Sequence, residues 1–128
     1  MLLALYCWVN AGLYALFAAW CVLAEERTSQ FVGLSPINAG GRSEYWAVYG
    51  GLQAGLGVFY LLAALAPEHR RTALIFSLCL YGGIVAFRTC AAFREGFGNL
   101  GNAWFTYPLE ISMLVAAVAL FLARTAKP

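Results

Sequence analysis

Four long apolar runs, separated by short polar stretches, constrain this chain more than any other feature. Each run has about the 20 residues with which an α-helix crosses a hydrocarbon core about 30 Å thick. The runs cover residues 2–24, 45–66, 72–93 and 103–123. Because they use most of the 128 residues, the sequence predicts a single domain of four transmembrane helices with no large extramembrane part.

The composition supports the same class of protein. Hydrophobic residues make up 62% of the chain and charged residues 11%, against about 45–50% and about 25% in soluble domains. This small number of charged residues cannot cover a water-facing surface. We therefore expect an integral membrane protein that is surrounded by membrane lipid. The net charge is +2 and no basic run exceeds two residues, which excludes the electrostatic footprint of a nucleic-acid-binding protein.

The polar connections predict the topology. Only Glu68–Arg71 and the preceding Pro67 separate the second and third runs, so these helices should be antiparallel neighbours. The expected fold is an all-α antiparallel four-helix bundle with both termini on one side. That side carries Arg70, Arg71, Arg124 and Lys127, against Arg27, Arg42 and Arg94 on the other. The positive-inside rule then favours cytoplasmic termini.

Two segments allow alternatives. The first run could be a cleavable signal sequence, but it lacks a basic n-region and is too long, which favours a spanning helix. Residues 25–44 form the longest polar connection and contain Gly33, Pro36, Gly40 and Gly41. We expect this loop to dip into the membrane interface or to cap the bundle.

Two charged side chains lie inside the apolar runs. Arg88 is five positions before the end of the third run and Glu110 is seven positions into the fourth, so both should lie roughly 8–10 Å below the same interface. A charge in a helix centre costs roughly 2.5–3.5 kcal/mol on insertion scales. Equal depth and opposite sign therefore predict an ion pair.

Other polar side chains share the helix faces that would meet this pair. Tyr49 and Gln53 lie one turn apart on the second helix, and Tyr107 lies one turn before Glu110. Asn10 and Tyr81 are also expected to line the interior of the bundle. The cluster either fixes helix register through hydrogen bonds or lines a cavity that orients an amphiphilic ligand. A proton relay through Glu110 or Arg88 is a third interpretation.

The cysteines and glycines give weaker signals. Cys21 and Cys90 lie at similar depth, which permits a disulfide, but packing as buried hydrophobes is the favoured interpretation for all four cysteines. No metal-ligand spacing, cofactor motif or nucleophile–base pair is present, so we expect no catalytic residue, metal or cofactor. Ala47, Gly51 and Gly55 form a small-residue face suited to close helix packing, either within the chain or in a dimer.

The segment EYWAVYGGLQAGLG from Glu44 to Gly57, followed by Arg88 before Phe93 and by Glu110 early in the last helix, resembles a known family. This is the group of small bacterial four-helix membrane proteins called domain-of-unknown-function family 4345. The resemblance covers nearly the whole chain, except the long first loop. It implies a bacterial inner-membrane protein, carries no established activity, and adds Glu44 to the candidate site.

The sequence thus predicts a non-catalytic protein that binds a lipophilic or amphiphilic molecule inside its bundle. The expected ligand-binding residues are Arg88, Glu110, Gln53, Tyr49, Tyr107 and Glu44. The alternatives are an accessory subunit of a larger membrane complex, for which copurification is the test, and a small proton-coupled transporter that titrates Glu110. Each of these three functions is compatible with a homo-oligomer.

Overall fold

The computed structural model describes residues 1–99 and 101–125, and these residues form helices joined by short turns. Leu100 and Lys127, the latter used above to assign orientation, lie outside the described residues. The helices are α1 (Leu2–Leu23), α2 (Glu25–Phe31), α3 (Ala39–Tyr45), a π-helical segment (Trp46–Leu52), α4 (Gln53–Leu65), α5 (Arg70–Glu95) and α6 (Ala103–Thr125), with 3₁₀ turns at Pro67–His69 and Phe97–Asn99.

The all-α class and the four apolar helices are confirmed. Within the described residues, the continuous helical stretches long and apolar enough to cross a membrane are Leu2–Leu23, Ala39–Leu65, Pro67–Glu95 and Ala103–Thr125. The second begins at Ala39 rather than at residue 45, because Asn38 caps its N-terminus: the Gly41 amide donates to Asn38 Oδ1 at 2.9 Å. The third extends beyond both predicted ends.

The described chain divides into two compact units, one of Met1 and Leu3–Arg70 and the other of Leu2 and Arg71 onward. In the first unit, α1 and α4 pack antiparallel. A Cβ added at Gly57 would lie 3.2 Å from the backbone nitrogen of Ala15, and one at Gly50 would lie 3.1 Å from Val22. Glycine at these two positions therefore sets the close approach of the helices.

The connection expected to be a loop is mostly helical. Helix α2 lies close to the end of α1, where Trp20 contacts Phe31 with ring centroids 5.3 Å apart. Its Glu25 accepts a hydrogen bond from Trp46 Nε1 at 2.8 Å and lies 3.3 Å from Arg42 Nε. Leu34 and Ile37, between α2 and α3, are exposed. These contacts attach the connection to the start of the second long helix.

In the second unit, α5 and α6 form an antiparallel pair, since Arg88 contacts Glu110 and Thr89 contacts Tyr107. Helix α6 is largely exposed, and Ala117 is its buried residue. All four cysteines, including Cys21 and Cys90, are free thiols in the structure. The expectation that all of them are buried holds for Cys7 and Cys21 but not for Cys79 and Cys90, which are exposed.

Candidate functional site

The predicted ion pair between Arg88 and Glu110 is confirmed. Arg88 Nε donates to Glu110 Oε2 at 2.6 Å, and Nη2 donates to Oε1 at 2.7 Å. Arg88 lies seven residues before the end of α5 at Glu95, and Glu110 lies seven residues after the start of α6 at Ala103. Because α5 and α6 are antiparallel, the two side chains lie at the same depth and can meet. The planar guanidinium can donate to both carboxylate oxygens at once.

The pair is shielded but still accessible. The Arg88 side chain is 29% exposed and that of Glu110 is 15% exposed. The two bonds in the ion pair use Nε and Nη2, and Nη1 has no acceptor in the described part of the second unit, residues 71–99 and 101–125. An approaching molecule can therefore find a hydrogen-bond donor on Arg88 without breaking the ion pair.

A second polar contact lies beside the ion pair in sequence and joins the same helices. Thr89 Oγ1 lies 2.6 Å from the Val85 carbonyl, to which it donates, and 2.7 Å from Tyr107 Oη. The Thr89 hydroxyl has one proton, so Tyr107 must be the donor in the second bond. Tyr107 then has no proton left to donate, but its oxygen can still accept one.

The sequence pattern predicted Tyr107 as a site residue but did not indicate its partner, Thr89. Threonine is common in apolar helices, and its hydroxyl usually bonds the carbonyl four residues earlier. Its position in the sequence could have identified it. Thr89 is adjacent to Arg88 and eighteen residues before Tyr107, and antiparallel pairing of the third and fourth runs would have placed Thr89 next to Tyr107.

Tyr49 and Gln53 belong to the first unit and have local contacts there. Tyr49 is half-buried, stacks on Tyr45 with ring centroids 5.1 Å apart, and meets Phe17 edge-on at 6.5 Å. Gln53 Nε2 donates to the Val48 carbonyl at 3.4 Å. Tyr49 is thus part of an aromatic cluster, a role that its tyrosine neighbour at position 45 could have suggested.

The remaining candidate residues differ in burial. Glu44 is exposed on α3. Asn10 is fully buried and donates to the Tyr6 carbonyl at 2.8 Å, and Tyr81 is buried in α5. In the described parts of the chain, no three His, Cys, Asp or Glu side chains lie close enough to hold a metal ion.

A broad apolar groove of about 820 Å³ runs along α1 and α4. Most of the residues that line it are small, among them Ala15, Ala19 and Gly51, and the larger Trp8 and Leu61 also line it. None of the six predicted ligand-binding residues lines it. The groove and the predicted polar site are therefore different features of the chain.

The small-residue face of the second long helix is also open. Among the described residues, a Cβ at Gly55 would meet no atom within 4 Å, and one at Gly51 would meet only the Trp46 carbonyl of its own helix, at 3.8 Å. Close packing within the chain uses Gly50 and Gly57 instead. This leaves Gly51 and Gly55 accessible to another helix.

Comparisons with protein-family models, with curated proteins and with solved structures each found no match.

Proposed function

We propose that this chain is a non-catalytic, multi-pass protein of the bacterial inner membrane, with its four long helices in an antiparallel bundle and both termini in the cytoplasm. In this proposal it binds a lipophilic or amphiphilic molecule whose polar end contacts Arg88. The bacterial setting rests on the resemblance to family 4345, and the membrane setting rests on the four apolar helices.

The observation that supports binding most directly is the accessibility of the Arg88–Glu110 ion pair. A pair that served only to fix helix register would be most effective when fully enclosed and saturated with hydrogen bonds. Here Arg88 is 29% exposed and retains unused N–H donors. In an apolar environment those donors favour any ligand that supplies an acceptor.

In this proposal, the residues around the pair have separate roles. Glu110 holds the guanidinium in one plane and compensates its charge. Tyr107 and Thr89 fix the spacing of α5 and α6 next to the pair. Tyr49, Gln53 and Glu44, which belong to the first unit, remain proposed ligand-binding residues.

The test is lipid retention. The wild type, Arg88→Leu and Arg94→Leu are purified in mild detergent, and their bound lipophilic molecules are extracted and identified by mass spectrometry. Arg94 is a matched control, because it also lies on α5 but is 85% exposed and contacts its neighbour Glu95. We expect a specific molecule to remain with the wild type and Arg94→Leu and to be lost from Arg88→Leu.

Equal retention by all three proteins would reject the proposal. Arg88→Leu leaves Glu110 unpaired, so folding is checked by circular dichroism, and the double variant Arg88→Leu/Glu110→Leu is included. The double variant has no unpaired charge and should also fail to retain the molecule.

A second candidate function is that of an accessory subunit in a larger membrane complex. The open face at Gly51 and Gly55 supports it, because such faces allow helices to approach closely in lipid. Mild purification of a tagged chain should then recover stoichiometric partner proteins, and Gly55→Leu should release them. Elution of the wild type alone would argue against this function.

A further inference from the structure

We infer that the Arg88–Glu110 site selects an uncharged lipid with a carbonyl oxygen, such as a fatty acyl ester, and discriminates against anionic amphiphiles. This inference rests on the proposed function and specifies the ligand class. It follows from which hydrogen-bonding groups the ion pair uses and which it leaves available.

Arg88 has more hydrogen-bond donors than the ion pair uses. A guanidinium has five N–H groups in one plane, of which the ion pair uses one on Nε and one on Nη2. Both protons on Nη1 and one on Nη2 have no acceptor among the described residues of the second unit. A carbonyl oxygen accepts one or two such bonds and brings no charge into the site.

The charges of Arg88 and Glu110 cancel. Glu110 engages Arg88 through two bonds of 2.6 and 2.7 Å, so the pair has no net charge. An anionic headgroup would be attracted to Arg88 but repelled by Glu110 a few ångströms away, and it would lose its hydration on leaving water. A neutral carbonyl avoids both penalties, so Glu110 excludes anions while it orients Arg88.

Tyr107 lies three residues before Glu110 on α6. Its proton is used by Thr89, whose own proton goes to Val85. Tyr107 can therefore accept a hydrogen bond from a ligand hydroxyl but cannot donate one to an anion. A lipid that carries both an ester carbonyl and a hydroxyl matches this set of donors and acceptors.

The experiment compares three probes with the same hydrocarbon chain. They are monooleoylglycerol, which is neutral with an ester and hydroxyls; methyl oleate, which is neutral with an ester alone; and oleyl sulfate, which is a permanent anion. Apparent dissociation constants are measured by native mass spectrometry on the delipidated wild type, Glu110→Gln, Arg88→Gln and the control Arg94→Gln.

We expect the wild type and Arg94→Gln to bind both esters about tenfold more tightly than oleyl sulfate. Glu110→Gln keeps the shape of the side chain but leaves Arg88 with a net positive charge, so its preference should reverse in favour of oleyl sulfate. Arg88→Gln should bind all three probes weakly.

Tighter binding of oleyl sulfate by the wild type would overturn the inference, and this comparison is informative even if a variant does not fold. Unchanged selectivity in Glu110→Gln would also overturn it. In both cases the lipid-retention experiment could still support the proposed function. If the wild type binds no probe and also retains no lipid on purification, both proposals fail.

Discussion

At the scale of single residues, the main energetic fact is a guanidinium placed within the apolar part of α5. Its cost falls when a carboxylate supplies two aligned acceptors, as Glu110 does at 2.6 and 2.7 Å. Removing one partner leaves the other as an unpaired charge, whereas removing both leaves an apolar contact between α5 and α6. The single changes should therefore harm the protein more than the double change.

This asymmetry gives the first prediction. Thermal unfolding in detergent is measured for Arg88→Leu, Glu110→Leu and the double variant. We expect each single variant to unfold at a lower temperature than the double variant, with a coupling energy of about 1–2 kcal/mol, because polar contacts between membrane helices reach that range. The same cycle on Arg94 and Glu95, exposed at the helix end, should give little coupling.

Additive effects in the Arg88 cycle would contradict this prediction and would mean that the two charges are solvated independently. A double variant that is as stable as the wild type would show that the ion pair is not needed for folding. That result would strengthen the case that the pair is kept for ligand binding.

The sequence could predict the contacts of those residues that are energetically costly to place in an apolar environment. A buried charge needs a partner, and only one acidic residue of suitable depth was available for Arg88. Thr89 and Tyr49 carry no such cost, because a helical threonine bonds its own backbone and a tyrosine packs equally well in an aromatic cluster. Their partners therefore became identifiable only with the structure.

At the scale of helices, glycine position decides which faces come together. Gly57 lies against the backbone of Ala15 and Ala11, whereas a Cβ at Gly55, two residues earlier, would meet open space. The backbone of α1 cannot move away from a new methyl group as a flexible side chain can. The same substitution at the two positions should therefore have different effects on stability.

We expect Gly57→Ala to destabilise the protein by about 1 kcal/mol or more, through overpacking against α1. Gly55→Ala should be neutral or stabilise by up to about 1 kcal/mol, through its higher helix propensity. Unfolding in detergent measures both effects. Equal effects would mean that α1 and α4 do not pack in this register, and a loss of partner proteins only in Gly55→Ala would favour the accessory-subunit function.

The contact between α2 and the start of the second long helix gives another prediction. Tyr45 is 3% exposed and its hydroxyl lies 2.5 Å from Thr28 Oγ1, which also bonds the Ala24 carbonyl at 2.9 Å. Tyr45→Phe removes this link at a cost of about 1 kcal/mol. Helix α2 should then detach more often.

Trypsin cleavage after Arg27 reports on that detachment, because Arg27 is exposed and belongs to α2. We expect faster cleavage in Tyr45→Phe than in the wild type. Tyr107→Phe is the control, since it removes a tyrosine hydroxyl from the other unit. Identical cleavage rates in all three proteins would mean that the Thr28–Tyr45 contact does not hold α2 in place.

The long apolar helices were predictable, whereas the structure between them was not. An apolar run of about 20 residues has few alternatives to a helix in lipid. Helices α2 and α3 have only seven residues each, and their formation depends on tertiary contacts such as those of Glu25 with Trp46 and Arg42. The π-helical segment coincides with the Gly50–Gly51 pair, but the sequence does not distinguish it from an ordinary turn of helix.

At the scale of the whole molecule, the charge distribution along the described chain is asymmetric. In the α5–α6 pair, Arg71 and Arg124 are exposed at one end, and neither forms an ion pair within the described residues, although Glu68 lies three residues before Arg71. At the other end Arg94 lies 3.3 Å from Glu95, and Arg88 is paired with Glu110. Unpaired arginines thus mark one end of this helix pair, and that end adjoins the C-terminus.

This asymmetry leads to the last prediction, that both termini lie in the cytoplasm. With four crossings, a fluorescent protein fused after Pro128 should fluoresce, and alkaline phosphatase fused there should be inactive. Phosphatase inserted after the exposed Ile37 should be active, because one crossing precedes it. Arg71→Gln/Arg124→Gln should produce a mixed population by weakening the positive charge that retains this end, while Arg94→Gln should not. Active phosphatase at the C-terminus of the wild type would reverse the orientation and would place Arg88 and Glu110 nearer the cytoplasmic face.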